Sequence, residues 1–220
     1  MSRLEDRLTS QTDALGGVVS CTYNADGQMA SLTDPVGNVT SWAYDAAFHL
    51  TSIAQTIGGS AGPQISLGYD SGGRLTSQTR SIGGSGVAID TTIGYNSANA
   101  ITSILHQSYT PGGSGGTYAT INSYSYGYDS GGLLTTQTNN DGTFNYAYDK
   151  TNQLTGVTGP WNESFSYDLN GNRTMSGYTT GKDNEMLTDS AGNKYAYDAN
   201  GNMTSMTTPT GDFWRGLPDD

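Results

Sequence analysis

Eight times along the chain an apolar residue, a small residue and a tyrosine follow one another, and an Asp or Asn comes next. The tyrosines are Tyr23, Tyr44, Tyr69, Tyr95, Tyr128, Tyr148, Tyr167 and Tyr197. Two positions earlier stand Cys21, Trp42, Leu67, Ile93, Tyr126, Tyr146, Phe165 and Tyr195, all apolar or aromatic. Between them lie Thr22, Ala43, Gly68, Gly94, Gly127, Ala147, Ser166 and Ala196. This alternation predicts a strand with one buried face that ends at the tyrosine.

Four residues after the tyrosine comes Gly or Asn, at Gly27, Gly73, Asn99, Gly132, Asn152, Gly171 and Gly201, with Phe48 the exception. An Asx followed three residues later by Gly or Asn suits a type I turn closed by a residue at positive φ. Asp and Asn exchange there because either side chain can accept from the turn's N–H groups. Six residues after the tyrosine an apolar residue returns (Met29, Leu50, Leu75, Ile101, Leu134, Leu154, Met203), with Arg173 out of line. A threonine usually follows and reads as the β-branched start of the outgoing strand.

A second turn, Asp-x-x-Gly, closes several units: Asp13 to Gly16, Asp34 to Gly37 and Asp189 to Gly192, with Asn140-Asp141-Gly142 a shorter version. Two strands and two turns per unit predict an all-β antiparallel repeat meander. Gly/Ser-rich insertions at Gly58–Pro63, Gly83–Gly86 and Pro111–Gly116 fall between outgoing strand and next tyrosine, so they should collect at one rim. Asn184 to Thr188 reads as half a repeat within a long gap. Arg7-Leu8-Thr9 matches Arg74-Leu75-Thr76 and places a further anchor position at Ser2. The reading is one array over 1–220 of about eight units, with incomplete repeats at 1–15 and 207–220.

Tyr69-Asp70-Ser71-Gly72-Gly73-Arg74-Leu75-Thr76, Tyr167-Asp168-Leu169-Asn170-Gly171-Asn172 and Tyr197-Asp198-Ala199-Asn200-Gly201-Asn202 resemble the repeats of the Rhs/YD-repeat family, with Thr33 to Asn38 as the linking turn. The resemblance covers roughly residues 3 to 208. It implies a segment of a β-sheet that spirals into a hollow shell, as in bacterial Rhs polymorphic toxins, insecticidal toxin-complex shells and teneurins. Bacterial shells of that family enclose a toxic C-terminal domain released by self-cleavage. A non-catalytic shell role, secretion to the extracellular space or cell surface, and contact with further repeats and an enclosed toxin domain are therefore expected. The family's closing Asp-Pro-x-Gly-Leu motif does not occur: Asp34-Pro35-Val36-Gly37 is followed by Asn38 and reads as a repeat turn.

Composition narrows the alternatives. Glycine fills 31 positions and tyrosine 15, only 13% of residues are charged, and no Leu/Glu/Lys-rich stretch supports a helical bundle. A net charge of −11 argues against nucleic acid and anionic membrane surfaces. No apolar run is long enough for a membrane span, and Arg3, Glu5, Asp6 and Arg7 leave no apolar segment for a signal peptide near Met1. Cys21 is the one cysteine and can form no internal disulfide.

Candidate chemistry is sparse. Gly58-Gly59-Ser60-Ala61-Gly62 and Gly112-Gly113-Ser114-Gly115-Gly116 match Gly-x-Ser-x-Gly, but both lie in Gly/Ser tracts with no helix pattern behind them, so both read as insertions. His49 and His106 are the only imidazoles and read as exposed or rim residues. The Asp168 and Asp198 turns carry glycine at position 4 and no Glu at position 12, so they are not calcium loops of the EF-hand type. Sequons occur at Asn38, Asn162, Asn172 and Asn202. No catalytic, cofactor or metal residue is expected; the eight tyrosines are expected as structural anchors. The other reading is an extracellular adhesion, glycan-binding or self-assembling repeat protein, in which edge strands pair with other copies.

Overall fold

The computed structural model describes residues 2–4, 7–83, 86–112 and 116–215, without the side chains of 2–4 and 215. Among these residues every regular element is a strand. The chain divides into two compact units, residues 1–127 with 138–140, and 128–137 with 141–220. Within each unit, neighbouring strands of a sheet are strands that follow one another along the chain.

The first unit holds β1 (Ser2–Leu4), β2 (Arg7–Thr12), β3 (Val18–Tyr23), β4 (Met29–Thr33), β5 (Val39–Tyr44), β6 (Leu50–Ile57), β7 (Ser60–Tyr69), β8 (Leu75–Ser81), β9 (Ala88–Tyr95), β10 (Ile101–Thr110) and most of β11 (Thr117–Tyr128). Each strand up to β11 pairs antiparallel with the next. β12 (Leu134–Asn139) is divided between the units. The second unit holds β13 (Gly142–Tyr148), β14 (Leu154–Thr158), β15 (Glu163–Ser164), β16 (Thr179–Thr180), β17 (Met186–Thr188), β18 (Lys194–Tyr197), β19 (Met203–Thr207) and β20 (Phe213–Arg215).

Apart from the shorter Asn140–Asp141 turn between β12 and β13, the two kinds of turn inferred from sequence are one structure. In each, the Asx N–H donates to the carbonyl four residues on, and the N–H three residues on donates back. The Asx Oδ1 also accepts from the N–H groups two and four residues on, at both Asp70 and Asp34. The closing residue stands at positive φ throughout, including Phe48 at 66°, where a bulky side chain is strained. The half repeat is present too: Gly181 takes the Asx place, Asn184 the positive φ, and Thr180 the anchor place before it.

Threonine at the outgoing strand has a role that periodicity did not reveal. Tyr69 pairs with Leu75 and Gly68 with Ser77, so Thr76 is bulged out of the ladder. The same bulge follows Tyr23, Tyr44, Tyr95, Tyr148 and Tyr197. It brings the small residue before each anchor opposite Ser31, Ser52, Ser77, Ser103, Gly156 or Ser205. A Cβ on Gly68 would touch the Ser77 hydroxyl, which explains why that position stays small.

The insertions lengthen strands at one rim. Gly58 and Gly59, both at positive φ, make a two-residue turn between paired Ile57 and Ser60. The matching segment at 112–116 and the glycine-rich stretch at 83–86 fall partly outside the described residues. Burial is thin, as expected for strands whose faces are covered only by neighbours in the ladder. Among described residues only Ala88, Thr91, Phe144 and Val157 are buried.

Candidate functional site

The eight anchors are half-buried, as are the residues two before them, while the small residues between include exposed Thr22, Ala43, Ala147 and Ala196. The anchor hydroxyl makes a specific bond. Tyr23 donates to the Leu8 carbonyl at 2.8 Å, Tyr44 to Met29 at 3.2 Å, Tyr69 to Leu50 at 2.9 Å and Tyr95 to Leu75 at 2.8 Å. In the second unit Tyr148 donates to Leu134 at 2.9 Å and Tyr197 to Met186 at 3.0 Å. Every acceptor is the apolar residue six places after the preceding anchor position, and Leu8 and Met186 confirm Ser2 and Thr180 as such positions. Burial, and secondarily the charge of nearby Tyr146, pushes the Tyr148 hydroxyl above the ordinary tyrosine value.

Tyr167 departs from this order. It forms only an isolated bridge, to Arg173, and 165–178 is otherwise irregular. An apolar residue six places on would pack under the sheet; Arg173 instead lies over the Phe165 and Tyr178 rings and donates to the Tyr178 hydroxyl at 3.1 Å. Tyr167 thus keeps the six-residue pairing of the other anchors within its own hairpin, while the regular strands on either side are lost. Bonds from Ser190 and Arg173 hold the Tyr178 hydroxyl below its usual value.

A second relationship, not foreseen from sequence, links consecutive turns. The residue five after an anchor position reaches the next turn. Arg7 lies over Tyr23 at 5.4 Å, and Arg74 over Tyr95 at 4.7 Å. Arg74 is also paired with Asp70 at 2.7 Å and donates to the Asn96 carbonyl and Asn99 Oδ1 at 3.2 and 2.8 Å. His49 stacks on Tyr69 at 4.7 Å with its Nδ1 3.0 Å from Asp45 Oδ2. Gln28 donates to the Phe48 carbonyl, and Asn172 to Asn184 Oδ1. At these junctions the side chains clasp one turn to its successor.

The turn carboxylates of Asp70, Asp168 and Asp198 are held below their ordinary value by the bonds they accept. For Asp70 the Arg74 N–H dominates, and for Asp168 and Asp198 the side-chain amides of Asn172 and Asn202. The sequon amides Asn38, Asn172 and Asn202 all donate to turn aspartates, whereas Asn162 caps Gly159 N–H through Oδ1.

His49 belongs to a clasp. His106 lies mid-strand in β10, half-buried, with Nδ1 2.9 Å from the hydroxyl of buried Thr91, so it is not the exposed rim residue expected. Cys21 is half-buried and free. Among described residues no group of three or more His, Cys, Asp or Glu comes together to hold a metal.

The RHS Repeat family model matches residues 5–37, 23–61, 128–163 and 186–212, more than half the chain. Crystal structures of TcdB2-TccC3 and of TcdB2-TccC3-Cdc42 each superpose with a TM-score of 0.56 at 18% identity, over 87% of this chain and 12% of theirs. That likeness shows a shared fold, and this chain spans about an eighth of those chains' length. No curated protein matches.

Proposed function

The chain belongs to the RHS repeat family, and from that premise we propose that it is a non-catalytic stretch of one repeat array whose wider shell encloses or presents a toxin or effector domain. Tyr23, Tyr44, Tyr69, Tyr95, Tyr128, Tyr148, Tyr167 and Tyr197 serve as its structural anchors, and it needs no cofactor. The observation that carries this reading is the hydroxyl-to-carbonyl bond repeated from anchor to preceding repeat. Such a bond serves a wall built by propagation, since each repeat is too small to stand alone. The small share of the TcdB2-TccC3 chains that it spans supports a place within a longer polypeptide, whose other repeats and sheltered domain are its partners. Export to the extracellular space or cell surface of a bacterium completes the proposal.

The test is limited proteolysis of the natural gene product that contains this chain, combined with expression of its flanking domains alone. A protease-resistant repeat region with a sheltered domain that is toxic once freed is the expected outcome. Digestion of the repeats as fast as their linkers, with no sheltered fragment, would overturn it.

A self-assembling reading has one observation in its favour: β20 carries exposed Phe213 and Trp214, the profile of a strand that recruits another. Concentration-dependent growth in light scattering would support it, and a monodisperse monomer would dismiss it.

A further inference from the structure

On the face that carries the anchors, Trp42, Ile53, Ile65, Arg80 and Ile89 stand opposite one another across β5 to β9. Arg80 is the one charged residue in this row, and Pro63, Ile65, Ile82, Val87 and Ile89 line an open cleft of about 390 Å³ around it. We propose that this cleft binds a medium-chain fatty carboxylate, with the Arg80 guanidinium on the head group and the hydrocarbon against the apolar walls. The site would serve the repeat array whether or not a wider shell closes around a cargo, so it does not depend on the shell reading.

Arg80 lacks what the other arginines have. Arg7, Arg74 and Arg173 each lie over an aromatic ring, and Arg74 is paired with Asp70 as well. Among the described residues the Arg80 side chain is exposed, with no hydrogen bond, ion pair or ring contact. Asp90, next in sequence to Ile89, faces the other side of the sheet and accepts from Thr79 Oγ1. A guanidinium set between two isoleucines thus offers its planar fork of donors outward, with no acid of the chain to meet it.

The walls select the rest of the ligand. Small-molecule sites are concave and mostly apolar with a few placed polar groups, and this cleft has that make-up. Ile82, Val87 and Ile89 are exposed along it, and an alkyl chain laid over them removes apolar surface from water. A peptide fits less well. β8 is paired along both edges, with β7 and β9, and so has no main-chain groups to spare, while Gln64 in the lining turns to Ser66 at 3.5 Å. Hydrocarbon needs no such partners. Among the described lining residues Arg80 is the only cation, which matches a singly charged carboxylate and leaves a phosphate dianion half compensated. The net charge of −11 opposes docking on an anionic bilayer, which favours a free acid over a membrane-borne one.

The probe is octanoate, titrated into the full chain far below its micelle threshold and followed by amide and methyl chemical shifts, with octanol, acetate and acetyl-Leu-Leu as companions. Octanoate should shift Ile65, Arg80, Ile82, Val87 and Ile89, and acetate should shift none of them. Octanol should bind about tenfold more weakly, the share of a charge-assisted hydrogen bond. Arg80→Gln alters an exposed side chain without partners, so the urea midpoint should hold. That variant should bind octanoate about tenfold more weakly and octanol as before. Equal binding of octanol and octanoate, undiminished binding of octanoate to the variant, shifts as large at exposed Leu15 and Leu169, or no shift at millimolar octanoate would each overturn the proposal. Tighter binding of acetyl-Leu-Leu would do so as well, by making the cleft a docking place for a polypeptide C-terminus.

Discussion

The Tyr69 hydroxyl donates to the Leu50 carbonyl at 2.9 Å, across 19 residues of sequence. Strand pairing alone would hold β6, β7 and β8 in order, but this bond fixes the anchor ring against the preceding repeat's outgoing strand.

Tyr69→Phe should therefore cost about 1 kcal/mol, the net worth of one such bond with its acceptor left behind. Tyr148→Ala removes ring and bond together. Full burial would suggest about 3 kcal/mol or more, and the half-buried setting lowers the expectation to about 2 kcal/mol. Urea midpoints with unchanged slopes measure both. An unchanged midpoint for Tyr148→Ala would sink the anchor assignment.

Phe48 occupies a left-handed conformation that its turn demands and its side chain resists. Because the ring is 59% exposed, little burial is lost on replacing it. Phe48→Asn, matching Asn99 and Asn152 at the same place, should stabilise by about 1 kcal/mol. Thermal unfolding would show this directly, and a lower melting temperature would contradict it.

Arg74→Ala should cost about 1 kcal/mol, combining a partly exposed ion pair with a guanidinium over Tyr95. Arg74→Lys should recover less than half of that, because a point charge cannot serve Asp70, Asn96 and Asn99 together. Hydrogen exchange at the Asn96–Ala100 turn reads the same loss locally. Full recovery by lysine would reduce the clasp to simple charge.

Acid should weaken the fold. The carboxyls of Asp70, Asp149, Asp168, Asp189 and Asp198 lie below the ordinary value of 3.8 in the folded chain. Their contribution is complete above that value and is lost as pH falls through the lower, folded values. Stability measured in urea should hold steady down to about pH 5 and decline below about pH 4. Asp168→Asn with Asp198→Asn should flatten the decline, since Asn24 and Asn96 make the same turn uncharged. Relief of the −11 net charge acts in the opposite direction, so a rise in stability on acidification would show repulsion outweighing these bonds.

Much of the fold is legible along the chain because the hairpin turn is local: Asx, positive φ and flanking strands lie within a few residues of each other. Ser2, which lacks the tyrosine, is placed by that spacing, whereas Thr180 is identified as an anchor position only by the Tyr197 bond to the Met186 carbonyl. The bulge at Thr76 was hidden because bulged and paired β-branched residues look alike in sequence, although the serine recurring at Ser31, Ser52, Ser77 and Ser103 carried its trace. The clasps were hidden for a different reason. Their partners belong to successive repeats, and Arg, His, Gln and Asn share a donor role without sharing an identity. Arg173 was visible as an irregularity, but only its lodging between Phe165 and Tyr178 shows why the ladder opens there.

The acceptor that each anchor seeks is a main-chain carbonyl, a group that nearly any substitution leaves in place. Leucine and methionine already alternate above it at Leu8, Met29, Leu50, Leu75, Leu134 and Met186. A repeat can thus drift, be copied or be exchanged without renegotiating the bond to its neighbour. That freedom suits an architecture recognisable between chains of which only 18% of residues coincide.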